Sequence, residues 1–223
     1  MKSKSTVNRS RAVIAAAALC ALGGCATYRH ATPRSSQGPA WHAHKWVKRP
    51  VQRKGVITMG TVPLTLLGKP VHVGERAPAF RAVANNMTVY HFRPGHGRVW
   101  ILSSVPSLDT PVCSRETRTF NIDAAKLGHG VRILTISMDL PFAQKKWCAA
   151  KGVKRVRTVS DYRFHSFAKK YGVLIKQMGL LARQVLVVGK NGRITYMQLV
   201  HNIAHQPNYA AALAAARKAA AKR

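Results

Sequence analysis

The sequence predicts an α/β fold, a mixed central sheet flanked by helices with a β-hairpin in front. Three observations predict it. From residue 98 on, short apolar runs of strand length alternate with segments of helical period, the pattern of βαβ units with parallel strands. Near the C-terminus, RQVLVV and RITYMQLV flank Gly189-Lys190-Asn191-Gly192, an antiparallel hairpin. Near residue 60, VITMGTVPLTLLG alternates apolar and polar residues around Gly60, a second hairpin.

The elements follow in order. VHVGERAPAF, after the first hairpin, reads as a short strand, a turn at Gly74 and an extended X-Pro segment. Met87 to Phe92 reads as a strand, and Arg93-Pro94-Gly95 as a turn. Arg98 to Val105 is a buried-type strand that breaks at Pro106. Pro111 opens a helix with Phe120, Ala124 and Leu127 on one face, ended by Gly128 and Gly130. VRILTISM (131–138) is a strand rich in β-branched residues. Pro141 opens a helix that stops at Gly152. A strand over 153–159 and a helix over 162–171, closed by Gly172, precede the C-terminal hairpin. Pro207 opens a last, alanine-rich helix with basic residues near its end, where they suit the helix dipole.

The first 55 residues have another character. Lys2, Lys4, Arg9 and Arg11 precede an apolar run, Ala12 to Leu22, that has the length of a secretory signal and is too short to span a bilayer. It ends in Leu22-Gly23-Gly24-Cys25, which resembles a bacterial lipobox. That resemblance implies a signal peptide over 1–24 and lipid attachment at Cys25; a plain signal peptide with an incidental cysteine is the alternative. Residues 25–55 lack periodicity, are rich in Pro, Ser, His and basic residues, and read as a disordered basic tether. Residues 56–223 form one domain, large enough for its own core.

Composition narrows the chemistry. Four cysteines are too few for a disulfide scaffold, so each is read singly. Thirty-seven Lys and Arg face six acids, a formal charge of +31. Such a balance attracts anionic partners. The surplus is spread along the domain without a basic–aromatic nucleic-acid motif, and an exported protein does not normally meet DNA. An anionic membrane surface, approached through the lipid and the basic tether, is the expected partner, and nucleic acid is not.

The chemistry centres on Cys113. With Thr110 as N-cap and Pro111 as first residue, Cys113 lies in the first turn of its helix. Unpaired backbone N–H groups and the helix dipole favour the thiolate there. The Thr110 hydroxyl is expected to accept a cap N–H and donate toward the sulfur, while Pro106 shapes the loop. A buried structural cysteine is the other reading. Cys148, 35 residues on, forms with Cys113 either a structural disulfide or a nucleophile and its resolving partner. Glu116, one turn past Cys113, reads as an ordinary helix-face acid that could pair with a nearby Arg.

From about Gly55 to Ala216 the chain resembles the thiol peroxidases, the Tpx subfamily of atypical two-cysteine peroxiredoxins. The resemblance is carried by PSLDTPVC (106–113), SMDLPFAQKKWC (137–148), SDYR (160–163), YGVLIK (171–176), GLLAR (179–183) and QPNYAAAL (206–213). It implies a thioredoxin-like fold with an added N-terminal hairpin. It implies Cys113 as peroxidatic cysteine, Cys148 as resolving cysteine, and Thr110, Pro106 and Arg183 as the remaining site residues. It implies thiol-dependent reduction of hydrogen peroxide and of alkyl or lipid hydroperoxides, recycling by a thioredoxin-like dithiol, and no metal, flavin or haem. Homodimers are common in the family, and the cationic surface here could perturb them. With the lipobox, it places the protein in a bacterial cell envelope, facing the periplasm, with the outer membrane favoured because Ala26 replaces a retaining aspartate.

The chain departs from the family in its anchor and tether, its charge, and a short Gln177-Met178 link where a longer loop is usual. Two other functions use the same features. One is a redox sensor or disulfide relay built on the same cysteine pair. The other is a non-enzymatic basic protein that binds envelope surfaces.

Overall fold

A computed structural model describes residues 50–222. The expected signal peptide, the expected lipid site at Cys25 and most of the expected tether fall outside the described residues. The chain starts with an antiparallel hairpin, β1 (Gln52–Met59) and β2 (Val62–Leu67). β1 begins four residues before the predicted domain start. The register shifts between Lys54 and Ile57, a bulge with Gly55 at φ +68°. The two extra residues there, Gly55 and Val56, interrupt the pairing, so Gln52 to Gly55 read as tether although they are strand. Arg53 ties this end to the fold through the carbonyls of Gly68 and Gly172.

A second hairpin, β3 (Phe80–Ala84) and β4 (Val89–Phe92), follows an irregular stretch. The strand expected over 71–73 is not formed, and β3 lies instead just past the X-Pro segment. Two βαβ units come next: β5 (Val99–Ser104), α1 (Pro111–Asp123), β6 (Val131–Ser137), α2 (Pro141–Ala150) and β7 (Val156–Ser160). α1 passes into a turn of 3-10 helix over Ala124–Lys126 before Gly128. α3 (Ser166–Tyr171) starts later than predicted and ends at Gly172, which is left-handed at φ +65°. β8 (Leu174–Ile175), the hairpin β9 (Gln184–Val188) and β10 (Ile194–Leu199), and α4 (Tyr209–Ala221) complete the chain.

Seven strands form one mixed sheet in the order β10-β9-β5-β6-β7-β3-β4. β5, β6 and β7 are parallel, and the other pairings are antiparallel. β1, β2 and β8 form a separate three-stranded sheet. On one face of the large sheet, Ile101, Ile133, Val185 and Val187 pack with Phe120 of α1, Trp147 of α2 and Leu213 and Ala216 of α4. On the other, Leu102, Leu134, Ile136 and Leu186 pack with Phe167 and Tyr171 of α3 and with Ile57, Leu64, Leu66 and Ile175 of the small sheet. Cover on both faces is why the central strands are almost continuously apolar. It also leaves the loops at the C-terminal ends of β5 and β6 as the place where polar side chains converge.

Candidate active site

The loop from Val105 to Thr110 leaves β5 and delivers the chain into α1. Its start is fixed by the Val105 N–H on the Ile136 carbonyl, 3.0 Å, with Pro106 buried behind it. Its middle is held by Asp139, in the turn between β6 and α2. The Asp139 carboxylate accepts from Ser107 Oγ at 2.6 Å and from the Leu108 N–H at 2.8 Å. Thr110 has the extended backbone of an N-cap, and Pro111 follows at the first helical position.

Thr110 corrects one expectation. Its hydroxyl donates to the Ser107 carbonyl, 2.9 Å, and takes no cap N–H. The loop curls back tightly enough to place that carbonyl within reach, and the hydroxyl proton is used there. The Thr110 oxygen keeps its capacity to accept but takes no first-turn N–H of α1, so these have no cap from the Thr110 side chain.

Cys113 is buried, 1% exposed. Arg183, in the residue before β9, donates from Nη2 to Cys113 Sγ at 3.2 Å. Arg183 is itself 1% exposed, and each nitrogen of its guanidinium has a partner. Nε and Nη2 donate to the Ile203 carbonyl at 3.0 and 2.9 Å, and Nη1 to Glu116. Glu116 is fully buried, and its other oxygen accepts from Ser103 Oγ at 2.6 Å. Burial pushes the Glu116 carboxyl up, opposed by the adjacent Arg183. Burial works against the Arg183 cation, but Glu116 and Cys113 more than offset it and hold it above its ordinary range.

The sequence reads Glu116 as a helix-face acid that could pair with a nearby Arg, and the structure pairs it with Arg183. The signal was its position, three residues after Cys113 and so on the same face of α1. The Ile203 carbonyl has no side-chain signature and could not be read. QPNY supplies a further brace: Gln206 Nε2 donates to the Val112 carbonyl in the first turn of α1, 3.0 Å, and Tyr209 donates to Gln206. The short link at Gln177-Met178 lies against β2, with Gln177 Oε1 accepting the Thr65 N–H at 3.0 Å.

Cys148 is half-buried on α2, and its sulfur lies 3.4 Å from Thr158 Oγ1 of β7. Burial pushes its thiol up, against hydrogen bonds from Thr158 and Asn85. Both cysteines are free. Cys148 lies seven residues, about 10 Å, down α2 from its start, and it is held by β7, whereas Cys113 sits at the head of α1 with Arg183. The structure thus places Arg183 on Cys113, puts Thr110 and Pro106 in the loop that leads into the same helix, and leaves Cys148 on a separate anchor. Among the described residues, no three His, Cys, Asp or Glu side chains cluster as a metal site requires.

The redoxin family matches residues 72–213. A thiol peroxidase of Oceanobacillus iheyensis is 48% identical over 157 residues, covering 70% of this chain and 95% of its own. One from Bacillus subtilis is 45% identical over 161 residues, covering 72% and 96%. The crystal structure of a peroxiredoxin-like protein from Aquifex aeolicus superposes with a TM-score of 0.70 at 36% identity, covering 75% of this chain and 98% of that one. A thiol peroxidase from Chromobacterium violaceum shares the fold, with a TM-score of 0.61 at 20% identity over 70% of this chain and 91% of its own. The thioredoxin-like peroxiredoxin fold, the matched family and these relatives agree: the chain belongs to the redoxin family as a thiol peroxidase, an oxidoreductase of the peroxiredoxin type.

Proposed function

We propose that the protein reduces hydrogen peroxide and organic hydroperoxides through Cys113, Cys148 and an external dithiol. The observation that carries this reading is the Arg183 guanidinium on Cys113 Sγ at the head of a helix whose first N–H groups are uncommitted. The thiolate is the nucleophile. It attacks one peroxide oxygen: an S–O bond forms, the O–O bond breaks, and the leaving oxygen takes a proton to become water or an alcohol. Sulfur loses two electrons and becomes sulfenic acid. Arg183 and the helix N–H groups hold the peroxide oxygens and stabilise the charge that develops on the leaving one. Thr110, whose proton is given to Ser107, offers its oxygen to the hydroperoxide O–H. Pro106 keeps the loop in shape.

Cys148 then attacks the sulfenic sulfur. An S–S bond forms, the S–O bond breaks, and hydroxide leaves as water. A thioredoxin-like dithiol exchanges with that disulfide, restoring both thiols and becoming a disulfide itself. The lipobox at Cys25 and the basic tether support lipid attachment in a bacterial envelope, with the domain on the periplasmic side of the outer membrane.

The test is peroxide consumption with a dithiol reductant by wild type, Cys113→Ser and Cys148→Ser. Wild type should turn over, Cys113→Ser should not react, and Cys148→Ser should consume about one equivalent and stop. Turnover by Cys113→Ser, or none by wild type with any dithiol, would overturn the reading. Labelling with a radioactive fatty acid, lost in Cys25→Ala, tests the anchor.

A further inference from the structure

We infer that Asp139 is a positioning residue that couples the loop before Cys113 to the helix carrying Cys148, so that the two segments are released together. The inference rests on the proposed cysteine cycle. Cys148 Sγ rests on Thr158 and Cys113 Sγ on Arg183, and neither sulfur is bonded to the other, so Cys148 has to leave Thr158 to bond Cys113. What holds α2 in place therefore governs when resolution can occur.

One polar anchor of α2 leads through a carboxylate that also holds the loop before Cys113. Asp139 accepts from Ser107 Oγ and the Leu108 N–H on the Cys113 side. It also accepts from Ser137 Oγ at 2.7 Å. Ser137 Oγ in turn accepts from Gln144 Nε2 at 2.9 Å, and Gln144 gives a second bond to the Val159 carbonyl at 3.0 Å. Gln144 is the buried polar side chain of α2, with Pro141 and Trp147 as its buried apolar ones. It stands four residues before Cys148, on the same face of the helix. Its Oε1 is buried without a partner among the described residues. The docked helix thus carries an unmet acceptor, which weighs against its own anchorage.

Hydrogen bonds to a carboxylate are stronger than neutral ones and are shared here between two segments. Moving the loop strips Asp139 of two donors and frees it to turn, which loosens Ser137 and Gln144. Undocking α2 does the same in reverse. The network sets how long a sulfenic acid on Cys113 waits for Cys148, and so how often a second peroxide converts it to sulfinic acid first.

Three variants test this: Ser107→Ala on the loop, Asp139→Asn in the turn and Gln144→Met on the helix. The first readout needs no peroxide: the rate at which a maleimide alkylates Cys148 in the reduced protein. The second is the rate of disulfide formation after one equivalent of peroxide, and the third the sulfinic acid fraction under excess peroxide, by mass spectrometry. Each variant should raise Cys148 alkylation and disulfide formation about ten-fold, the scale of one lost buried hydrogen bond, and lower the sulfinic fraction. The Asp139→Asn/Gln144→Met double variant should exceed either single variant by much less than the product of their effects. A merely local structural role would leave Cys148 indifferent to Ser107→Ala. Unchanged alkylation in that variant, which alters no residue of α2, overturns the coupling, as does full multiplicativity in the double variant. Alkylation that responds as expected in a protein that forms no disulfide with peroxide would uphold the coupling and overturn the peroxide cycle instead.

Discussion

Glu116 and Arg183 form an ion pair closed to solvent on both sides, with side chains 0% and 1% exposed. The pair links α1 to the start of β9, and Arg183 reaches Cys113 from it. An isolated buried guanidinium would be costly, so the carboxylate is what allows a cation to sit beside the sulfur in a dry site. Ser103 and the Ile203 carbonyl fix the two ends of the pair.

Glu116→Gln should therefore damage chemistry and stability together. Breaking one side of a buried pair costs about 3–5 kcal/mol when nothing replaces it; the amide keeps the shape, so the loss should lie near the lower figure. The rate of Cys113 with hydrogen peroxide should fall at least about ten-fold, because Arg183 is no longer held in place. Stopped-flow kinetics and thermal unfolding check the two effects.

Arg183→Lys should be worse for rate than its conserved charge implies. The guanidinium serves Cys113, Glu116 and Ile203 at once. An ammonium is a single point with no fork, and it cannot span those partners. A loss of about 100-fold in the first step is expected, with hydrogen peroxide and organic hydroperoxides affected alike.

Resolution should depend on pH through Cys148. Burial holds its thiol above the ordinary range, so the reactive thiolate is scarce at neutral pH. Disulfide formation, measured by rapid quench after the sulfenic acid has formed, should rise about ten-fold per pH unit below the point where the thiol titrates. In Gln144→Met, where α2 opens more easily, that midpoint should move down toward the value of an exposed thiol.

Asp161 should be a stability residue with no part in the reaction. It is buried and accepts the N–H groups of Ser166, Phe167 and Ala168 at 2.8, 3.2 and 2.8 Å, closing the start of α3. Asp161→Ala leaves those donors unmet and should cost about 2–4 kcal/mol. Urea unfolding should show it, while the peroxide rate of the folded variant stays within two-fold.

The start of the folded unit can be tested by truncation. A chain beginning at residue 56 lacks Arg53 and its bonds to the Gly68 and Gly172 carbonyls. It should be less stable than one beginning at residue 50 by about 2 kcal/mol. Gly172→Ala should weaken the same corner, since a Cβ there would strike the Lys69 carbonyl at a left-handed backbone position. Differential scanning calorimetry of the three proteins gives the comparison.

The α/β class, both outer hairpins and the helix opening at Pro111 were legible because periodicity and turn residues mark them. β1 was cut short because its bulge at Gly55 interrupts the alternation. β3 lay hidden behind the X-Pro segment, and β8, at two residues, is too short to carry a pattern. Cys113 could be singled out by its place after a cap, and Arg183 only through the GLLAR match. Glu116 was visible but not decided, because helical spacing shows a shared face and not whether solvent reaches it. The Thr110 hydroxyl bonds the Ser107 carbonyl and not a cap N–H, a partner that only the fold of the loop brings within its reach. Ile203 contributes a backbone oxygen, for which no residue type is required.

The chain has six acids, and three of them hold partners within the fold. Glu116 holds the arginine, Asp139 the loop, and Asp161 the start of α3. Acid attacks folded proteins chiefly by neutralising carboxylates that hold partners. A protein with so few of them presents few points to that attack. Its positive charge rests on 37 Lys and Arg, which acid does not titrate, and protonation of its ten histidines and six acids only adds to it, so its charge keeps its sign and grows as the medium is acidified. Its attraction to any anion is then limited by the ionisation of that anion and by salt, since the protein's own titration in acid only adds positive charge.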